Sequence, residues 1–459
     1  MVYKLEEVLK MKKFKGFMGI MLLMIMAMVF TGCQKVDNGA AKEGKEASTT
    51  AEAGQKAKFE TLKDGEEYHI GIVTGTVSQA EDEFRAAEKA IELYGAADKG
   101  GIIKHDTYPD RFEAEQETTI SKIVAMADDP LMKAVIVNQS VPGTVAAFNQ
   151  IREKRPDILL VNLVAQEDTV MVENASDLVM DADNVSRGYR IIAAAKEMGA
   201  TKFAHITFPR HMSIELLALR RAIMEEACKD LGLEFISLNA PDPTTDIGVP
   251  GAQQYIAENI QPWIDKYGKD TAFFCTNDAH TEPLLRGVAA GGAIFVEQDL
   301  PSPIMGYPKA FSVDIQNMAG DWKAINAAVE KAVIEKGGDK RMGTWAYSLG
   351  YSLTLGAVDH VMEVLKGEGE LLNQEQILAS IQKYTEGAKW MAENYVDRAT
   401  GETKDNHFLL AQDTYVYGRG YLGMDKIKVP EKYLNLNVDL DAIKAVSYTH
   451  LTLPTNREV

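Results

Sequence analysis

His69-Ile70-Gly71-Ile72-Val73-Thr74, then Gly75-Thr76-Val77-Ser78-Gln79, then the periodic stretch Glu81–Tyr94, set the pattern of this chain. A short apolar, β-branched run, a turn of glycine and hydroxyl residues, and an amphipathic stretch make one strand–turn–helix unit. A strand covered on both faces reads as such a continuous apolar run. The unit recurs as Gly101–His105 with Glu113–Ala127 and as Ala134–Asn138 with Gly143–Lys154, before the short apolar segments Ile158–Val164 and Leu178–Asp181. It restarts with helix Gly188–Met198, strand Lys202–Thr207, helix Ile214–Leu231 and strand Leu233–Leu238. Helix Ala252–Tyr267, strand Thr271–Thr276, helix Thr281–Ala289 and a last strand at Ile304–Tyr307 follow. The expected fold class is α/β, with two doubly wound parallel-sheet lobes joined by a hinge. Residues 66–183 plus about 307–344 are expected in lobe 1, and 184–306 plus about 345–435 in lobe 2. The helices Trp322–Lys336, Trp345–Lys366 and Gln374–Tyr384 would return to both lobes.

Ligands of open α/β sheets bind beyond the carboxyl ends of the strands, so the residues just after each strand are the candidate site. In the first lobe these are Thr74, Thr76, Ser78 and Gln79, then Tyr108 and Arg111, then Asn138 and Gln139. In the second they are Phe208, Arg210 and His211, then Asp242, then Asn277 and Asp278, then Tyr307. Hydroxyls and amides there also serve as helix caps and turn formers. Arg210 and His211 stand out, because a strand ending in Phe-Pro-Arg-His has no structural need for that pair. Arg210 is expected to face Thr74–Gln79 across the cleft, its planar fork suited to a carboxylate or vicinal hydroxyls.

Other motifs carry less. Gly418-Arg419-Gly420-Tyr421-Leu422-Gly423 matches G-x-G-x-x-G but lacks the following helix that a dinucleotide site requires, since Pro430 stops Met424–Lys428. His205, inside an apolar strand, reads as a hydrogen-bonded core histidine. Glu81 and Glu83 read as a solvated cluster at a helix N-terminus, and Trp322 and Trp345 as packing residues. No local metal-ligand spacing or nucleophile–base motif is present, so no metal, cofactor or catalytic residue is expected.

The chain has 459 residues, is 46% hydrophobic and 25% charged, and carries a formal charge of −18. Residues 1–32 hold five lysines against two glutamates, leaving −21 on the remainder. So acidic a body is repelled by phosphate backbones and argues against nucleic acid as a partner. Of the three cysteines, Cys228 and Cys275 fall in a predicted helix and strand and read as buried free thiols.

Cys33 ends a short export-type segment. Lys12, Lys13 and Lys15 precede the apolar run Phe17–Phe30, and Thr31-Gly32-Cys33 follows. The run falls short of the ~20 residues needed to span a bilayer but suits a signal. It resembles a bacterial lipoprotein signal, with Cys33 the lipidated residue and Phe30 where leucine is usual. The expected start is Met11, and residues 33–65 are expected to be a flexible tether, with folded structure from about Tyr68. Val446–Thr455 resembles a translated transposon-end sequencing adaptor codon for codon, so 446–459 is left out of fold reasoning.

Ile70–Gln79, Phe208-Pro209-Arg210-His211-Met212, Ala240-Pro241-Asp242-Pro243-Thr244 and Phe274-Cys275-Thr276-Asn277-Asp278 together resemble a family of Firmicute lipoproteins of undefined function. It looks like a branch of the type I periplasmic-binding-protein fold, and the likeness runs from about Tyr68 to Asn435. The resemblance implies a lipid-anchored extracytoplasmic solute-binding protein that hands a small polar ligand (amino acid, sugar or nucleoside) to an ABC permease. The same chain would suit a ligand sensor for a membrane receptor or kinase, or a surface hydrolase. Some relatives are labelled transcriptional regulators, but an export signal occupies the place of a helix-turn-helix.

Overall fold

The computed structural model describes residues 56–436 except Ala319. Cys33, the signal and the adaptor-like end lie outside the described residues. In the first lobe β1 (His69–Thr74), α1 (Glu81–Tyr94), β2 (Ile103–Thr107), α2 (Gln116–Val124), β3 (Met132–Asn138), α3 (Thr144–Lys154), β4 (Leu159–Leu163), α4 (Thr169–Ala175) and β5 (Leu178–Ala182) follow in order. The second lobe begins with α5 (Asn184–Glu197), β6 (Lys202–Thr207), α6 (Pro209–Ser213), α7 (Glu215–Leu231), β7 (Glu234–Asn239), α8 (Gly248–Tyr267), β8 (Thr271–Cys275) and α9 (Asp278–Gly291). It continues through β9 (Ile294–Phe295), α10 (Tyr307–Phe311), α11 (Trp322–Glu335) and β10 (Gly343–Trp345). The remainder is α12 (Leu349–Leu365), α13 (Gln374–Gln382), β11 (Trp390–Val396), β12 (Thr403–Gln412), β13 (Thr414–Val416), β14 (Gly420–Tyr421) and α14 (Glu431–Leu434).

Lobe 1 holds a seven-stranded sheet of order β11-β12-β5-β4-β3-β1-β2, parallel except for β11. Lobe 2 holds a parallel sheet of order β7-β6-β8-β9. Each order reverses direction once, at β1/β3 and at β6/β8, and the crevice outside the strand ends at such a switch point is where open α/β sheets take ligands. The fold is therefore α/β and type I periplasmic-binding-protein-like, as the alternation predicts.

The late segments return the other way round from the expectation. Residues 307–344 stay with lobe 2: α10 packs on α9, Phe295 bridges Met342, and β10 joins β13 and β14 in a small sheet. Residues 349–412 go to lobe 1, where α12 lies on α1 and β12 extends the sheet beside β5. Only 414–436 fall with lobe 2 as expected; Met424, Val429 and Tyr433 enter its core against α5 and α7. An apolar helix such as α12, buried almost throughout, carries no sign of which sheet it covers. The predicted strand Ile304–Tyr307 is also absent. Gly306 has φ +77°, and Pro308 at the first turn of α10 starts a helix instead. The tether ends sooner than predicted as well. Ala57 N donates to Asp177 Oδ1 at 2.7 Å and Leu62 N to Leu365 O at 2.8 Å, so residues 56–65 lie on lobe 1.

The chain crosses between lobes three times, at Asp183, between Trp345 and Leu349, and at Asp413. One buried carboxylate binds all three crossings. Glu297 Oε1 accepts from Arg187 Nε (3.0 Å) and Nη2 (2.9 Å), while Oε2 accepts from Trp345 Nε1 (3.0 Å) and Thr414 Oγ1 (3.1 Å). Arg187 and Glu297 are each only 2% exposed. Removing one charge of such a pair leaves the other buried and unpaired, which costs about 3–5 kcal/mol. Glu297→Gln is therefore expected to lower the unfolding free energy by that amount in urea titration; a loss under 1 kcal/mol would show that the crossings are held by packing alone.

Candidate functional site

Between the lobes, beyond the carboxyl ends of β1, β3, β6 and β8, lies a cavity of about 60 Å³. Lobe 1 contributes Gln79, Tyr108, Phe112, Gln139, Gln166 and Asp181; lobe 2 contributes Asn184, Arg210, His211, Arg220, Asn277 and Asp278. Of the residues expected from sequence, Gln79, Tyr108, Gln139, Arg210, His211, Asn277 and Asp278 meet here.

Arg210 shares the cavity wall with Gln79, but its hydrogen bonds go elsewhere than Thr74–Gln79. It lies on α6, and its Nε (2.7 Å) and Nη2 (3.2 Å) donate to the two oxygens of Asp242, while Nη1 reaches across to Gln166 Oε1 at 3.2 Å. Its guanidinium also covers Phe112 of lobe 1 and Phe208 of lobe 2, at 5.4 and 5.3 Å from their ring centres. Burial pushes the Asp242 carboxyl up, but the arginine's hydrogen bond and charge outweigh it and hold the group below its ordinary value. Arg210 is thus a strut between lobes that already has its carboxylate. His211 Nδ1 pairs with Thr276 Oγ1 at 3.1 Å, and burial plus the Arg210 charge keep the ring neutral, well below the usual histidine pKa.

The other candidates are elsewhere. Thr76 and Ser78 hydrogen-bond Asp110 on their own lobe. Thr74 is buried, bonded to Gly75 O (2.9 Å) and His105 Nε2 (3.0 Å). Asn138 ties β3 to α12 through Thr354 Oγ1 at 2.9 Å. Arg111 forms an exposed ion pair with Asp246 of the other lobe at 2.9 Å. Phe208 lies beneath Arg210 and His211. Tyr307 is a core residue whose hydroxyl donates to Gly343 O at 2.6 Å. Strand ends supply turns and supports as readily as ligands, and here they do both.

Two readings of buried polar groups also change. Of the pair Glu81 and Glu83, Glu81 stays partly exposed but Glu83 is 1% exposed, not solvated, and Asp82 between them is 2% exposed. Glu83 presses so close to α12 that a Cβ at Gly350 would meet its Oε1 at 2.1 Å. Burial pushes its carboxyl up to about 7. His205 has no hydrogen-bond partner at either ring nitrogen; it lies between Phe235 and Phe274, and burial drives its pKa well down. Cys228 and Cys275 are buried and unpaired, their thiols pushed up to about 12 by burial. The Gly418–Gly423 run forms the turn between β13 and β14 and leads into a 3-10 turn, with no helix for a nucleotide.

Sequence reasoning missed Gln166, Asp181, Asn184, Arg220 and Asp299 of the cavity wall. Arg220, fully buried in α7, donates to Asp299 and to Asn184 Oδ1 at 2.7 Å. Asp181, at the end of β5, accepts from His407 Nε2 at 2.9 Å, and the other ring nitrogen meets Glu173 Oε1 at 3.0 Å. An arginine inside a helix that reads as mostly core was the one available signal.

Two doubly wound lobes closing on a cavity at their switch points define the class. A family model described as "Protein of unknown function (DUF3798)" matches residues 68–343, more than half of the chain, and a second family model matches 354–436. The protein belongs to the DUF3798 family. Two uncharacterized proteins of Treponema pallidum (strain Nichols) are similar: one is 44% identical over 180 residues, 39% of this chain and 81% of that protein. The other is 37% identical over 212 residues, 46% of this chain and 96% of that protein. The resemblance drawn from the sequence names Firmicute lipoproteins, whereas these relatives are Treponema proteins. Among solved structures, a candidate transcriptional regulator from Clostridium difficile 630 has a TM-score of 0.61 at 24% identity, covering 77% of this chain and 99% of that one. A sugar ABC transporter from Actinomyces odontolyticus ATCC 17982 has a TM-score of 0.46 at 9% identity, covering 79% and 98%.

The His407 arrangement gives a pH test. Burial opposes its charge, but hydrogen bonds to Asp181 and Glu173 prevail and its pKa lies above the ordinary 6.5. Stability from this ion triad is fully present below pH 6.5 and is lost as pH rises through the folded-state value. The unfolding free energy should therefore fall more steeply from pH 6 to pH 9 in the wild type than in His407→Gln; parallel profiles would mean that the ring stays neutral.

Proposed function

We propose that the protein is an extracytoplasmic solute-binding lipoprotein, held to the cell membrane through Cys33, that closes its lobes on a small polar ligand and delivers it to an ABC importer. The single observation behind this reading is the cavity at both switch points, walled by polar side chains of both lobes. A solute gripped from two sides binds the closed form better than the open one, and such differential affinity is what drives closure. None of the described helices is long and apolar enough to cross a membrane. A lipid tether would keep the protein beside a permease.

Thermal-shift screening of the purified chain against a metabolite library tests the reading. A true ligand at ~100 times its Kd adds about 2.7 kcal/mol of stability, and small-angle scattering should then give a smaller radius of gyration. Library-wide silence, or binding with an unchanged scattering curve, would remove the cleft-closure reading. Anchoring is checked separately: Cys33→Ala should move the protein from the membrane fraction to the medium, and retention after a high-salt wash would exclude a lipid on that thiol.

A further inference from the structure

The charges around the cavity are matched within the chain, with one exception. Arg210 is held by Asp242, Arg220 by Asp299, and Asp181 by His407. Asp278, the first residue of α9, has no ion pair among the described residues. Its Oδ2 receives one long contact from Gln139 Nε2 at 3.5 Å, and its Oδ1 is sealed from water with no donor. The ionisable groups facing it are acids: Asp299 in the hinge segment, and Glu83 and Asp82 on α1, with the Tyr108 hydroxyl and Cys275 thiol also nearby. Glu83 Oε2 is a second buried oxygen without a donor. Gln139 offers Asp278 only that one long contact, and its Oε1 accepts from Gln166 Nε2 at 3.4 Å.

A buried carboxyl without a donor is costly, and an ionised one far more so. Only two things relieve it: a proton, or a ligand that brings N–H donors and positive charge. Burial and the neighbouring acids hold Asp278 well above the usual carboxylate range, which is the first remedy. The second is what the rest of the cavity suits, for its wall also carries Phe112, Val164, Ile214, Leu216, Leu217 and Leu300, apolar surface for a hydrocarbon body. A cavity of about 60 Å³ suits a small solute rather than a large one.

We propose that the cavity selects a small aliphatic ammonium ion, its N–H groups donating to the Asp278 carboxylate with the Glu83 carboxyl behind. This rests on the solute-binding reading and narrows it to a ligand class. Where Asp278 is protonated before binding, the carboxyl proton passes to solvent as the ammonium ion takes its place, and no covalent bond changes apart from that O–H.

The test uses size-matched probes on the purified full chain. Ethanolamine and n-propylamine are compared with the neutral ethylene glycol and 1-propanol and with the anionic glycolate, by calorimetry and thermal shift. The expected result is saturable binding of an amine at least tenfold tighter than its neutral counterpart, and at least a tenfold loss in Asp278→Asn. Titration near pH 6 in two buffers of different ionisation enthalpy should show proton release on the wild type, a readout that does not depend on the variant folding. Equal binding of amine and neutral probe, undiminished binding by Asp278→Asn, or no amine binding at all would each overturn the proposal. If the amines fail while a neutral sugar such as D-ribose binds and contracts the scattering curve, the ammonium inference falls and the solute-binding reading stands. If the metabolite library also fails, both fall.

Discussion

The Glu297 carboxylate is the constraint on which the two-lobed arrangement depends. Its four hydrogen bonds come from Arg187, just past the first crossing, from Trp345 at the second and from Thr414 at the third. Each donor follows or precedes a change of lobe, so a single anion fixes three strands of hinge to one point. Two charges buried together repay their desolvation only when geometry is good and the remaining donors and acceptors are met. Here they are: Arg187 spends its other N–H groups on Gln298 O and Asp299 O, both at 2.9 Å, and its face covers Trp345 at 5.2 Å.

That anchoring reaches the cavity within two residues. Asp299, next but one to Glu297, pairs with Arg220 of the cavity wall, and Asn184 Oδ1 accepts from both Arg187 (3.3 Å) and Arg220 (2.7 Å). The hinge and the wall are therefore one hydrogen-bonded unit, in which moving either arginine disturbs the same amide oxygen. Ser302, further along the segment, donates to Asp82 of α1 at 2.9 Å, carrying the connection into lobe 1. Arg220 Nε is the one guanidinium nitrogen of the arginine pair left without a partner, and the remaining bonds tie hinge and wall together.

The alternation of apolar runs with amphipathic stretches made both parallel sheets legible, because burial on two faces writes itself as Val-Ile-Val and Phe-Phe-Cys. Lobe membership of the late segments was not legible. Tertiary packing decided it: β12 pairs with β5 through His407–Leu410, and a histidine in a central strand looks polar until Asp181 and Glu173 are beside it. The candidate site was legible by position, since strand ends at switch points do meet. Which side chain served the ligand was not, because pairing is a long-range property. Asp242 lies 32 residues from Arg210 in sequence and takes both of its forks. Glu83 reads as a solvated acid at a helix start, but Gly350 lets α12 press against it.

Arginine attracted the first assignment because its fork is the more versatile binder, yet an arginine with a bidentate carboxylate has little left to offer a solute. Arg210 instead joins the lobes before any ligand arrives, through Gln166 and the face of Phe112, and Arg111 does so at the surface through Asp246. These contacts favour the closed form by some amount of their own, and a ligand supplies only the difference. The surface pair contributes little and is screened by salt. The inner strut is shielded, so it is the stronger of the two ties between the lobes. Division of labour follows from charge matching: the residues that already have partners tie the lobes together, and the one that lacks an ion pair, Asp278, is the one the proposal assigns to a solute.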